Sequence, residues 1–250
     1  DIRLPEQLRN IIPIVASSTP SKKISSAIKG AEIYPKCKVG EGVVESFDKK
    51  SYQYQLDDCF HVLSSETQHD NEYAVLAKES NGKKEMKFFV SGSKLTVEPS
   101  EQYTESRKEY DIEFDGERIE LERNEKKELR TRGQGHYCKL WRSADDVIVV
   151  ETPYSRVVYD GKTIEIENTR LTHSELKGLC GNNNQDKRDE TVTAQGCSIK
   201  SSQAAALSFR VQSRSCSALS QQQQQIQQQQ QQQKCKTIKA QQQQQKKTVK

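Results

Sequence analysis

The sequence predicts an all-β fold, an antiparallel β-sandwich with short peripheral helices, and three observations carry that expectation. Between residues 36 and 167, short stretches alternate apolar with charged side chains, as strands with one buried face do. The stretches are separated by Asn81-Gly82, Ser91-Gly92, Asp115-Gly116 and Asp160-Gly161, three of them good hairpin turns. Short strands at such spacing indicate a sandwich rather than a parallel sheet.

Residues 1–35 read as a connector from an upstream domain. Ser17-Ser18-Thr19-Pro20-Ser21-Lys22-Lys23 is turn-rich, and Pro13 interrupts any helix built on Leu8, Ile11, Ile12, Ile14 and Val15. A single domain is expected over 36–217. Its opening holds Cys37-Lys38-Val39, a Ser46-Phe47-Asp48 turn, an aromatic strand at Ser51-Tyr52-Gln53-Tyr54, and an apolar strand at Phe60-His61-Val62-Leu63. Further strands are predicted at 73–78, 84–90, 94–97, 111–114, 118–121, 137–141, 147–150, 156–159 and 163–166. A short helix over 171–177 could be capped by Thr172, with Glu175 closing a capping box. A second, over 202–211, would be capped by Ser201 or Ser202.

The last segment, 218–250, is dominated by glutamine runs at 221–225, 227–233 and 241–245. Such a tract buries too little apolar surface to offset chain entropy, so a disordered tail is expected. It also holds six lysines and no acid. Removing them from the total of +4 leaves the remainder at −2, so the folded part lacks the basic footing of a nucleic-acid binder. No apolar run is long enough to span a membrane.

Seven cysteines, at 37, 59, 138, 180, 197, 216 and 235, are dispersed without zinc-type CxxC pairs. In a strand-rich chain this favours disulfides and an oxidising, extracellular setting. A secreted chain would need a signal peptide elsewhere in a longer precursor, since none is visible here. Hydrolytic chemistry has no support: there is no Gly-x-Ser-x-Gly elbow and no histidine in a nucleophile context, so no enzyme is expected. His61 reads as an outward-facing or hydrogen-bonded residue, Tyr137 and Trp141 as core beside Cys138, and Asp145-Asp146 as a turn. The strand cations Lys83, Lys84, Lys87, Arg130, Arg132, Arg142 and Arg156 read as a solvated face.

The densest chemistry lies in Gly178-Leu179-Cys180-Gly181-Asn182-Asn183-Asn184-Gln185-Asp186-Lys187-Arg188-Asp189-Glu190. Short oxygen-bearing side chains ending in carboxylates suit a hard cation. The same residues favour turns, because Asn and Asp tolerate left-handed backbone.

The Cys37, Phe47-Asp48, Tyr52 and Cys59 opening, followed by Gly-Leu-Cys-Gly-Asn, resembles the von Willebrand factor type D domain over roughly residues 37–216. Within that family the wording is most similar to the C-terminal part of vitellogenins, the yolk-precursor lipoproteins of egg-laying animals. The glutamine-rich end suits an insect protein better than a vertebrate one. That group's Asp-Gly-x-Arg motif is represented by Asp160-Gly161-Lys162-Thr163, with threonine in the arginine's place. The resemblance implies a Ca2+ site at Asp48, Asn182, Asn184, Asp186, Asp189 and Glu190. It departs at Gln185, where glycine is usual, and at Glu190, where aspartate is common. Four carboxylates overcompensate a divalent ion, so one is expected outside its direct ligands or to contribute only its backbone carbonyl. The resemblance also implies Cys37–Cys180 and Cys59–Cys216 disulfides; Cys138 with Cys197 is then expected, leaving Cys235 odd. Some type D domains carry a redox Cys-Gly-Leu-Cys; here Lys177 replaces the first cysteine, which removes the local dithiol.

The function implied is a non-catalytic, calcium-binding module of a secreted storage protein found in haemolymph or yolk. Its partners would be other domains of the same precursor and an oocyte receptor, with lipid carried by those other domains. The rival reading is an adhesive or clotting module that assembles through intermolecular disulfides.

Overall fold

The computed structural model describes residues 35–66, 73–133, 137–168, 176–187, 190–211, 213 and 216. The expected connector, apart from Pro35, and the glutamine-rich tail lie outside them. Among the described residues the strands form two antiparallel sheets. The first has eight strands: β1 (Lys36–Val39), β2 (Val43–Glu45), β3 (Ser51–Gln53), β10 (Lys126–Arg130), β11 (Tyr137–Arg142), β12 (Ile148–Glu151), β13 (Ser155–Tyr159) and β14 (Ile164–Asn168). They lie in the order β10-β11-β12-β13-β14-β1-β2-β3. The second sheet contains β4 (His61–Glu66), β5 (Tyr73–Ser80), β6 (Lys83–Val90), β7 (Ser93–Pro99), β8 (Tyr110–Phe114), β9 (Glu117–Arg118) and β15 (Leu176–Lys177). Its order is β15-β4-β5-β6-β7-β8-β9.

Three of the predicted turns close two-residue hairpins, and both residues of each take positive φ: Asn81-Gly82, Ser91-Gly92 and Asp115-Gly116. That backbone hand matches the twist of the flanking strands. Asp160-Gly161 is different. It lies in a four-residue loop, where the Asp160 carboxylate accepts from the Lys162 and Thr163 amides at 3.0 and 2.7 Å.

One apolar core joins the sheets, with Tyr73, Met86, Phe88 and Leu95 on one side and Cys138, Leu140, Ile148, Tyr159, Ile164 and Ile166 on the other. Polar ties cross it as well. The Tyr73 hydroxyl donates to Asn168 Oδ1 at 3.2 Å, the Tyr159 hydroxyl donates to the Lys84 carbonyl, and the Lys84 amide donates to the Gly161 carbonyl at 2.8 Å.

Strand phase corrects several expectations. In β11 it turns Cys138, Leu140 and Arg142 inward, so Tyr137 and Trp141 lie on the outer face rather than in the core. Tyr137 is among the few large apolar side chains left exposed. The cations do not form one solvated face either. Lys84 alternates with Met86 and Phe88 and is buried, its ammonium 2.7 Å from Glu79. Arg142 is also inside, held by Asp146 at 2.9 Å, Glu109 at 3.2 Å and the Lys108 carbonyl at 2.7 Å. Asp146 does sit in a turn, with φ 58, and doubles as the carboxylate partner of Arg123 and Arg142.

The remaining outward charges are ordered by register. Across β10, β11, β12, β13, β14 and β1 the row reads Glu128, Lys139, Glu151, Arg156, Glu167, Lys36, alternating in sign at every step. Opposite charges directly across an antiparallel pair each contribute a few tenths of a kcal/mol to about 1 kcal/mol, and like charges cost similar amounts. Arg156→Glu places three acids in a row and is expected to destabilise the fold by about 1–2 kcal/mol. Denaturant midpoints at low and high salt check this: the loss should shrink as ionic strength rises.

The C-terminal helix α1 (Ser202–Leu207) is shorter than predicted. Ser201 caps it, accepting from the Ala204 amide. Beyond Ser208 the chain is drawn onto β4: the Val62 amide donates to the Phe209 carbonyl at 3.0 Å, and the Val211 amide to the Phe60 carbonyl at 2.7 Å. Phe209 and Val211 bury better beside that strand than on a continued helix. The other predicted helix is corrected at its end, where Leu176 and Lys177 pair with Glu66 and Ser65 as β15; residues 171–175 lie outside the described set. The predicted strand at 118–121 shortens to Glu117–Arg118.

Candidate functional site

The Gly-Leu-Cys-Gly segment enters the site as a third partner to β4. The Leu179 amide donates to the Val62 carbonyl at 3.0 Å and the Cys180 amide to the Leu63 carbonyl at 2.8 Å. Gly178 has φ 145, and a Cβ there would fall 2.3 Å from the Leu63 carbonyl oxygen. Only glycine permits that approach. On the other side, the Phe47 amide donates to the Cys180 carbonyl at 3.0 Å and the Tyr52 hydroxyl to the Leu179 carbonyl at 2.6 Å. The Cys37–Cys180 disulfide closes the same junction, with Cα atoms 5.5 Å apart.

Asp48 sits in the β2–β3 turn, which Ser46 organises: its carbonyl accepts from the Lys49 amide and its hydroxyl from the Lys50 amide. The Asp48 side chain is buried and reaches the distant loop. Its two oxygens accept from the Gln185 amide at 2.5 Å and the Asn184 amide at 3.2 Å. These are charge-assisted bonds to backbone, which hold the loop at a fixed place and angle. Within the loop, Asn182 Oδ1 accepts from the Asn184 amide at 3.2 Å and Asn184 Oδ1 from the Asp186 amide at 2.7 Å. Asn183 and Gln185 carry φ of 58 and 67. Gln185 thus occupies a left-handed position where the resemblance expects glycine.

Glu190 returns to this junction. Both its carboxylate oxygens are buried, and a Cβ on Gly181 would fall 2.0 Å from one and 2.3 Å from the other. The bare Gly181 backbone therefore makes the space that this carboxylate fills. Burial, with the Glu190 charge adding to it, pushes the Tyr52 phenol well above its ordinary range.

The structure thus brings Asp48, Asn182, Asn184 and Asp186 into one hydrogen-bonded loop, with Glu190 packed against its start. Among the described residues, the carboxylates of Asp48, Asp186 and Glu190 do not converge within 4.8 Å as a three-acid cluster. Asp189 lies outside the described residues. The donor set is all oxygen, from carboxylates and Asn carbonyls, and suits a hard cation rather than a soft one.

Sequence reasoning missed what holds the loop. The sequence expects Asp48 as a ligand, and in the structure its carboxylate also accepts two backbone amides; the left-handed residues 183 and 185, on the turn that presents those amides, leave only an Asn-rich composition as their signal. A compact acidic group does occur elsewhere, at Asp57, Asp58 and Cys59. Its members are already engaged: Cys59 is disulfide-bonded, and Asp57 accepts from Arg210 at 2.8 Å and from the Cys59 amide at 2.8 Å.

Cys37 is bonded to Cys180 and Cys59 to Cys216, the two pairs implied by the resemblance. The expected Cys138–Cys197 bond is not formed. Cys138 is a free, buried thiol, pushed up to about 12 by burial, because β11 points it into the core. Cys197 is disulfide-bonded. Among the described residues no helix is long and apolar enough to cross a membrane.

Comparison with known proteins agrees with this architecture. The chain is 26% identical to Vitellogenin-3 of Caenorhabditis elegans over 198 residues, which is 77% of this chain and 12% of that protein. It is 25% identical to Vitellogenin-4 of the same nematode over 198 residues, again 77% of this chain and 12% of the relative. Vitellogenin-6 of Oscheius tipulae is 25% identical over 156 residues, covering 62% of this chain and 9% of the relative. The chain therefore spans about a tenth of the length of these relatives, which are nematode rather than insect proteins. The von Willebrand factor type D domain model matches residues 37–197, from the first bridged cysteine of β1 to Cys197, and the chain belongs to that family.

Proposed function

We propose that this vitellogenin-like type D domain is a non-catalytic structural module of a secreted yolk storage protein, stabilised by calcium at the junction of the β2–β3 turn with the 181–190 loop. The observation that carries this reading is the buried Asp48 carboxylate reaching Asn184 and Gln185 across more than 130 residues of sequence. A divalent cation bound by Asp48, Asn182, Asn184, Asp186, Asp189 and Glu190 would tie together the two segments that the Cys37–Cys180 bridge already joins. Similarity to vitellogenins supports placing the module within a larger lipid-carrying precursor, where it contacts neighbouring domains. Lipid cargo, uptake through an oocyte receptor and an extracellular location belong to that whole protein.

Thermal unfolding of the full chain with calcium, with magnesium and with chelator tests the site. A ligand at a hundred times its dissociation constant adds about 2.7 kcal/mol. For a domain of this size that raises Tm by roughly 5–10 °C. The rise should be specific to calcium and absent from Asp48→Asn, which keeps the side-chain size but removes the charge. Equal shifts with calcium and magnesium, no shift with either, or a full shift in Asp48→Asn would each overturn the proposal.

A further inference from the structure

His61 lies at the one point where the closing segment of the domain meets β4. It is fully buried, and both ring nitrogens are engaged: Nδ1 with the Cys59 carbonyl at 2.9 Å and Nε2 with the Tyr54 hydroxyl at 2.7 Å. A carbonyl can only accept, so Nδ1 carries the proton and Nε2 accepts from Tyr54. The docked arrangement is therefore built for a neutral imidazole. Directly across from His61 stands Arg210, paired to it in antiparallel register. The hydrogen bonds from Val62 to Phe209 and from Val211 to Phe60 flank that pair on either side.

We propose that His61 is an acid-sensitive latch, holding segment 209–211 on β4 while neutral and loosening it when protonated. The charged groups around it set the direction. From the 54–58 segment it faces Tyr54 and Asp57, and from the closing segment Arg210, whose guanidinium is bound to Asp57. Its partner on β5 is the uncharged Ala77, and the nearest acid on that strand, Glu79, is engaged with Lys84. Protonation would put a second cation beside Arg210 in a dry site, where the nearby Asp57 carboxylate is already bonded to Arg210 and to the Cys59 amide. It would also turn Nε2 from acceptor to donor and force the Tyr54 hydroxyl to reorient.

Burial, opposed only in part by Asp57 and the Cys59 carbonyl, pulls the histidine down from 6.5 to about 4. The undocked segment would leave it near its ordinary value. The docked state then has its full stability above about pH 6.5 and loses it progressively as pH falls toward 4. Between pH 7 and pH 5 the undocking equilibrium should rise about 20-fold. The Cys59–Cys216 bridge would keep the released segment tethered, so the change is a local opening rather than loss of the chain end.

Hydrogen–deuterium exchange of the full chain, corrected for intrinsic rates, reads this out. Protection of the Val62 and Val211 amides should fall about 20-fold from pH 7 to pH 5, while central amides of β6 stay unchanged. In His61→Gln the pH dependence should vanish; in Asp57→Asn it should persist, which separates histidine from carboxylate titration. Unchanged protection in the native chain, or a dependence retained in His61→Gln, overturns the latch. Should His61→Gln fail to fold, an NMR titration of the native His61 ring decides: a midpoint near 6.5 with the segment still protected below it overturns the latch equally.

Discussion

Replacing Cys37 and Cys180 together by alanine is expected to lower the unfolding free energy by about 5 kcal/mol. The bridge closes a sequence separation of 143 residues, and the loss of denatured-chain entropy on closing a loop of that size has this magnitude. Domains of this kind hold only about 5–15 kcal/mol in total, so the variant should sit near the edge of folding. Both sulfurs are fully buried, and their removal leaves space in the core that adds to the loss. The damage should concentrate where the bridge lies. Phe47, Asp48 and Tyr52 bond to 179–185 alongside it, and those hydrogen bonds would have to hold the two segments unaided. Chemical denaturation of native and variant chains under non-reducing conditions is the check. A difference below about 1 kcal/mol would mean that the hydrogen-bonded junction alone fixes the loop.

Gly178→Ala should be nearly as damaging, for a steric reason. Its φ of 145 is disfavoured for any residue with a Cβ, at a cost of about 1–3 kcal/mol. The added carbon would also press on the Leu63 carbonyl, which is main chain and already accepts from Cys180. Neither partner can yield without breaking the Leu179–Val62 and Cys180–Leu63 bonds, so a total of about 3–4 kcal/mol is expected. Gly181→Ala makes a useful contrast. There the added carbon meets the far end of the Glu190 side chain rather than backbone. The fold should survive with a smaller loss, because a carboxylate can swing away. The calcium-dependent rise in Tm that the proposed site predicts should nevertheless shrink, since Glu190 would be pushed from its place. Melting curves of both variants, with and without calcium, distinguish a backbone requirement from a ligand requirement.

Much of the fold is legible in the chain because hairpins write themselves locally. β6 and β7 alternate with period two, and dipeptides that accept positive φ join β5 to β6, β6 to β7 and β8 to β9, so strands and register there follow from neighbours in sequence. The failures share a cause: phase and pairing depend on partners far away. β10 carries one apolar residue in Lys-Lys-Glu-Leu-Arg and is a strand only because β11 offers it an edge. Tyr137 and Trp141 look like core until Cys138 between them takes the inward position, and Lys84 looks solvated until Met86 and Phe88 fix the opposite phase. For the site, residue chemistry points to the 181–190 loop and to Asp48, two segments that the structure joins by hydrogen bonds. What cannot be read locally is that Asp48 grips the backbone of 184 and 185, since that contact joins two turns on separate parts of the chain.

The two long disulfides interlock, because Cys59 lies between Cys37 and Cys180 while Cys216 lies beyond them. Every peptide bond from Cys37 to Cys216 is therefore enclosed by at least one bridge, and those between Cys59 and Cys180 by both. A protease that cuts once anywhere in that span divides the polypeptide without dividing the particle. Its two pieces would migrate as one species until a reductant is added, so a processed form of this domain escapes any size separation made with the bridges intact and differs in mass only by the water taken up at the cut.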